Sequence, residues 1–415
     1  MKLFSFVGTG DYQETSYSFD GTTPSKPTRY MPVALIELLA AHEPVKELIL
    51  MVTPQAKATH LNNLETELSQ RFPNLPFQVI EYHYADSQIE WTLFEKWMSI
   101  LEKEDTFAID LTHGMRSLSI LSVPISQFST LFAEANMTHL FYGNFQPHAS
   151  VNLIIDLQNV LLVEEWTYAI RQFLETGQSN ALKRLTDRAR QTYAMTSETR
   201  TLFPFMQIAD VLDQFVTYLN LNRYQLIVQH ISKLKKALNV EVPKDARLLP
   251  YRLLVEQLRE DLAQFINAQN DVDIHIALYD WYMKHNRILQ AITVWRESIV
   301  TVAARSLGID PYVQEVRKKL DRTLTAYTKG YELGEGAGRD ENLFFASLHQ
   351  LSSSCRDNLA HIQEKRNDMN HMGLRESSSG ANKLLSLQQQ SNIRELHIEV
   401  LRHIARMEVE HAPHT

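Results

Sequence analysis

The chain has 415 residues, a net charge of −8 and a single cysteine, with 44% hydrophobic and 22% charged residues. That length is more than one hydrophobic core comfortably serves, so two or more domains are expected. The acidic balance excludes a broad nucleic-acid-binding face. The lone Cys355 excludes an intramolecular disulfide and fits a cytoplasmic setting, and no run reaches the roughly 18 uninterrupted apolar residues of a membrane span.

In chain order, the first 158 residues alternate two kinds of segment. Short β-rich runs stand at "LFSFV" (3–7), "ELILMV" (47–52), "FQVIEYHY" (77–84), "TFAIDL" (106–111), "HLFYGNF" (139–145) and "VNLIIDL" (151–157). Amphipathic stretches at 30–42, 55–71, 88–103 and 115–134 lie between the first five. Strand alternating with helix predicts a mostly parallel, Rossmann-like α/β sheet covered on both faces. "QPHAS" is too short for a crossover helix, so the last two runs are expected to close the sheet as an antiparallel hairpin.

After residue 158 the strand pattern gives way to an all-α region, expected as helices at about 180–195, 204–220, 222–239, 247–267, 272–283, 286–307 and 311–328. Gly177 reads as a helix stop. "KGYELGEGAGRDEN" gathers four of the thirteen glycines and reads as a loop, as does "RESSSGANK" (375–383). Residues 251–415 carry 20 Lys and Arg against 22 Asp and Glu, so any nucleic acid bound there needs a local patch. The expected division is an α/β domain over 1–158, a helical linker over 159–250 and a second helical domain over 251–415.

Two places carry chemistry. In an open α/β sheet, ligands bind beyond the carboxyl ends of the strands. The first strand runs into Gly8, Thr9, Gly10 and Asp11; the second ends at Thr53; the fourth runs into Asp110, Thr112, His113, Gly114 and Arg116. Glycines let a backbone come close to a ligand, a following helix N-terminus offers free N–H groups, and Thr, His and Arg add donors and charge. The second place is "EKRNDMNHMG" (364–373), which groups Arg366, Asn367 and His371. RNA brings its own nucleophile, the 2′-hydroxyl. Cleavage then needs a proton carrier near neutral pKa, which histidine supplies, and a fixed positive charge on the phosphate, which arginine supplies. R-x-x-x-x-H arises by chance roughly once in a chain of this composition, so its setting carries the weight. On a regular helix Arg366 and His371 lie about 140° apart, so a long arginine must bend or a second copy must complete the site. No metal-binding, P-loop or nucleophile-elbow motif competes, and no metal or cofactor is expected.

Together, "DLTHG" in the sheet domain and "RNDMNH" in the helical domain resemble the CRISPR-associated CARF–HEPN ribonucleases of type III systems. "FSFVGTGDY" and "EEWTYAIRQFLETG" extend the resemblance, which is least clear over 159–250. It implies a homodimer that binds a cyclic oligoadenylate, most often the tetra-adenylate, through Gly8–Asp11, Thr112–Gly114 and Arg116. It also implies metal-independent cleavage of single-stranded RNA at Arg366, Asn367 and His371, leaving a 2′,3′-cyclic phosphate, with ring-nuclease activity in the sensor left open. The alternative is a ligand-sensing transcription regulator whose helical half binds DNA, which leaves "RNDMNH" without a role.

Overall fold

The computed structural model describes residues 1–83, 88–114, 116–192, 197–241, 248–372, 374 and 391–407. The "RESSSGANK" loop therefore lies outside the described residues. The chain divides into two compact units, Met1–Glu165 and Trp166–Thr415.

The first unit is built on a seven-stranded sheet. Its elements are β1 (Lys2–Val7), β2 (Ser16–Ser18), α1 (Met31–Leu39), β3 (Glu47–Val52), the short α2 (Pro54–Ala56), a π-helical turn at Lys57–Leu61, α3 (Asn62–Arg71), β4 (Phe77–Glu81), α4 (Ile89–Ile100), β5 (Thr106–Asp110), α5 (Arg116–Phe132), β6 (Asn136–Asn144) and β7 (Val151–Asp156). The strand order is β2-β7-β6-β5-β1-β3-β4, all parallel except the β6–β7 hairpin. Strand β1 shows why its sequence is an apolar run: it is buried on both faces. Leu3 and Val7 pack with Val33, Leu48 and Leu50 on one side, while Phe4 and Phe6 pack with Ile49, Leu93 and Trp97 on the other.

The sequence did not reveal β2, a three-residue strand that runs parallel to β7 at the sheet edge. Its S-Y-S sequence has too little hydrophobic alternation to register, and tertiary hydrogen bonds hold its neighbourhood: Asn152 Nδ2 donates to Thr15 Oγ1 at 2.8 Å. Strand β4, expected over 77–84, stops at Glu81, and β6 starts three residues earlier than expected, at Asn136.

The second unit is helical. Helix α6 (Gln158–Thr176) carries the boundary and is followed by α7 (Asn180–Thr192), α8 (Ser197–Asn220), α9 (Tyr224–Leu238), α10 (Leu249–Asp261), α11 (Ala263–Asn267), α12 (Asp271–Lys284), α13 (Ile288–Ser306), α14 (Gln314–Lys329), α15 (Arg339–His349), α16 (Ser353–Asn370) and α17 (Ser391–Ala405). Gly177 follows α6 at φ +64°, in the left-handed region where a side chain is strained. Helix α13 is the centre of the unit, packed by α12, α14, α16 and α17 and buried along Ala291, Ile292, Trp295, Ile299, Val302 and Ala303. On α16, Ser352 caps the N-terminus by accepting the Cys355 N–H, and Cys355 itself is buried. No helix among the described residues is long and apolar enough to cross a membrane.

Candidate functional site

After β1 the chain first lays down β2 at the far edge of the sheet, then builds β3 and β4 on one side of β1 and returns to place β5 on its other side. The loops after β1 and β5 therefore open side by side at the point where the strand order reverses, the place where open α/β sheets hold ligands. Asp110, fully buried at the end of β5, organises this corner. Its Oδ2 accepts Ser5 Oγ at 2.6 Å, and its Oδ1 accepts both the Thr112 N–H at 2.9 Å and Thr112 Oγ1 at 2.5 Å. Burial pushes the Asp110 carboxyl up, against the pull of the Ser5 and Thr112 hydrogen bonds. Thr112 Oγ1 in turn accepts the Gly143 N–H at 2.8 Å, tying the loop to β6.

A second feature joins residues from three loops. The Tyr12 ring lies between two imidazoles, stacked on His113 at 4.0 Å and on His60 at 4.4 Å between ring centres. Tyr12 OH accepts the Gly8 N–H at 2.6 Å, and His60 Nε2 meets the Gly10 carbonyl at 2.9 Å. Gly8 leaves little room for a side chain: a Cβ would stand 3.0 Å from the His113 carbonyl oxygen and 3.2 Å from Tyr12 OH. A Cβ on Gly114 would stand 3.2 Å from the Phe6 ring. Burial, then the charge of nearby His60, lowers the His113 pKa to about 4, so its imidazole is neutral at neutral pH. His113 Nε2 is buried with no hydrogen-bond partner. An orphaned polar atom of this kind is uncommon and costly, and it is relieved when a ligand supplies the missing partner.

Thus Gly8, Gly10, Asp110, Thr112, His113 and Gly114 come together, with Thr9 and Asp11 exposed on the β1 loop. Arg116 opens α5. Thr53 follows β3, and its fully buried hydroxyl caps α2 by accepting the Ala56 N–H at 3.1 Å. Sequence reasoning missed Tyr12 as a site residue and His60 altogether. His60 stands on the π-helical turn, and such turns recur at functional sites.

In the helical unit, Arg366 and Asn367 sit in the last turn of α16, and His371 is its C-cap, exposed, at φ −95° and ψ 15°. The His371 N–H donates to the carbonyls of Asn367 at 3.1 Å and Asp368 at 3.2 Å. The helix thus ends at Asn370, and Met372 turns left-handed at φ +56° immediately after it. Arg366 is half-buried in an ion network formed by α13, α14 and α16. Glu297 takes Arg317 Nη2 at 2.7 Å, Arg296 Nη1 at 3.1 Å and Arg366 Nη2 at 3.5 Å, and Arg296 also pairs with Asp321. Burial raises the Glu297 carboxyl, but the Arg317 hydrogen bond and the charges of Arg317, Arg296 and Arg366 outweigh it and hold the group below its ordinary pKa. Arg366 Nε is buried without a partner. Arg296 and Glu297 of α13 thus belong to the surroundings of Arg366. Beside them, Glu297 and Arg317 line a cleft of about 610 Å³ with Tyr224, His275 and Tyr312. Among the described residues, no group of three or more His, Cys, Asp or Glu is arranged to hold a metal ion.

Comparison with known proteins adds one relationship. Residues 163–274 match the family model for the second domain of CRISPR-associated protein MJ1674. The chain is also 21% identical over 230 residues to CRISPR-associated protein MJ1674 of Methanocaldococcus jannaschii. The similarity is to a CRISPR-associated protein. It covers 54% of this chain and 33% of the relative, so the chain spans about a third of the length of the curated protein it matches. The matched family segment is α6 to α12, the stretch with the least chemistry legible in sequence. Both similarities support a CRISPR-associated protein.

Proposed function

We propose that the chain is a CRISPR-associated endoribonuclease that a cyclic oligoadenylate switches on. The observation that carries this reading is the presence, in one chain, of a polar ligand crevice at the sheet's reversal point and of Arg366 and His371 together at the end of α16. The crevice offers an exposed glycine loop, neutral His113 with an unpartnered Nε2, and the Thr112 hydroxyl, a set suited to nucleobase edges and phosphate oxygens. A CRISPR-associated relative favours a nucleotide messenger over other small molecules.

At the second site the RNA 2′-hydroxyl attacks the adjacent phosphorus and the 5′-oxygen of the next nucleotide leaves, giving a 2′,3′-cyclic phosphate and a free 5′-hydroxyl. His371, exposed at the helix end, moves the proton, and Arg366 neutralises the phosphate oxygens as charge builds. Asn367, one turn before His371, orients the phosphate or the imidazole. A homodimer would bring two such helix ends to one strand, and the ligand would favour the aligned state by binding it more tightly. The deciding experiment incubates labelled single-stranded RNA with the protein in chelator, with and without each cyclic oligoadenylate. Cleavage that depends on one of them and yields 2′,3′-cyclic ends is expected; salt-sensitive duplex DNA binding without RNA cleavage would reject the reading in favour of a regulator.

A further inference from the structure

We infer that Glu297 is a positioning residue: its carboxylate fixes the direction in which the Arg366 guanidinium points. The inference rests on the ribonuclease reading for its consequence and on geometry for its substance. Three guanidinium groups, from Arg296, Arg317 and Arg366, converge on the single Glu297 carboxylate, and Asp321 also pairs with Arg296. Glu297 comes from α13, the most thoroughly packed helix of the unit, so its own place is set by the core. Arg317 locks it from the other side. Its Nη2 holds Glu297 Oε2, while its Nη1 donates to Thr301 Oγ1 at 3.1 Å and to the Pro311 carbonyl at 3.0 Å.

The Arg366 contact, at 3.5 Å, is the longest of the three. It orients the guanidinium by attraction at one nitrogen, and Nε is buried with no hydrogen-bond partner among the described residues. Without the carboxylate, half-buried Arg366 would face Arg296 and Arg317 with Asp321, already paired to Arg296, as the remaining counter-charge, and like charges at this range repel away from water. The side chain would swing out. A guanidinium acting on charge that develops only as the phosphate reacts should then be missed in kcat and hardly in KM.

The test uses the full-length protein as wild type, Glu297→Gln and Glu297→Asp, with Arg317→Lys as an independent disturbance should a Glu297 variant fail to fold. Two readouts are taken: cleavage of labelled RNA with cyclic tetra-adenylate, resolved into kcat and KM, and the ¹⁵N–¹H resonance of Arg366 Nε, assigned with Arg366→Lys. Glu297→Gln should lower kcat roughly tenfold to a hundredfold with KM nearly constant. Glu297→Asp should recover part of the loss, and the Arg366 resonance should shift and exchange faster with solvent. An unmoved Arg366 resonance, or wild-type kcat in Glu297→Gln, overturns the proposal. If the wild type cleaves no RNA, the ribonuclease reading fails, and the arginine resonance alone decides whether Glu297 holds Arg366.

Discussion

The stack of His60, Tyr12 and His113 shows how single atoms hold the crevice together. Tyr12 does two separable things: its ring fills the gap between two imidazoles, and its hydroxyl accepts the Gly8 N–H. Tyr12→Phe keeps the ring and removes the acceptor. Opening of the β1 loop should then cost about 1 kcal/mol less, read as faster hydrogen exchange at the Gly8 amide. Gly8→Ala is the harsher change, because the atom its methyl would meet at 3.0 Å is backbone. It should weaken ligand binding and destabilise the sheet unit by about 1–3 kcal/mol, measurable by titration and urea unfolding. That the glycines and the D-x-T-H-G loop stand at strand ends was legible in sequence, because the apolar runs before them mark the strands. His60 was not legible, because a residue 50 positions from Gly10 meets it only through the tertiary fold.

At the scale of elements, the strands and helices of the sheet unit followed from hydrophobic period, with the parallel order and the β6–β7 hairpin as expected. What escaped was β2, whose pairing depends on Asn152 and Thr15 rather than on any pattern of its own. The ion network around Arg366 also escaped, since α13, α14 and α16 bring its members together from positions 296 to 366. Gly177 was read correctly as a stop, and the structure adds a second reason for it. A Cβ there would lie 2.7 Å from Trp281 and 2.9 Å from His285, on top of a strained φ. Gly177→Ala should cost the helical unit about 2 kcal/mol or more, seen as a lowered thermal midpoint.

The helices also bury histidines, His275 and His397 among them. Burial lowers His275 to about 4, and burial followed by the charges of His275 and Arg394 keeps His397 well below its ordinary value. Both are uncharged in the fold and take up protons in the unfolded chain below about pH 6.5. Acid therefore favours unfolding, and stability should fall as pH drops from about 6.5 toward 4. Thermal scans across that range should show the loss, and His397→Gln should flatten the slope if the fold tolerates it.

For the whole molecule, the sensing and cutting we propose fall to residues in different compact units, which would make them separable by mutation. Arg366→Ala and His371→Ala should each lower RNA cleavage by roughly 10²–10⁴-fold while binding of cyclic oligoadenylate stays intact. His113→Ala should instead weaken nucleotide binding and make cleavage demand more of it. Filter binding and cleavage measured on the same preparations distinguish the two patterns. The solitary sulfhydryl of Cys355, shut inside the first turn of α16, gives such work a practical opening. Thiol reagents applied to the folded protein will find no ready target, so a cysteine placed at any chosen surface position becomes the sole handle for a fluorophore or spin probe. Distances between the copies of the proposed homodimer could then be sought as nucleotide is added, with no need to strip a native background first.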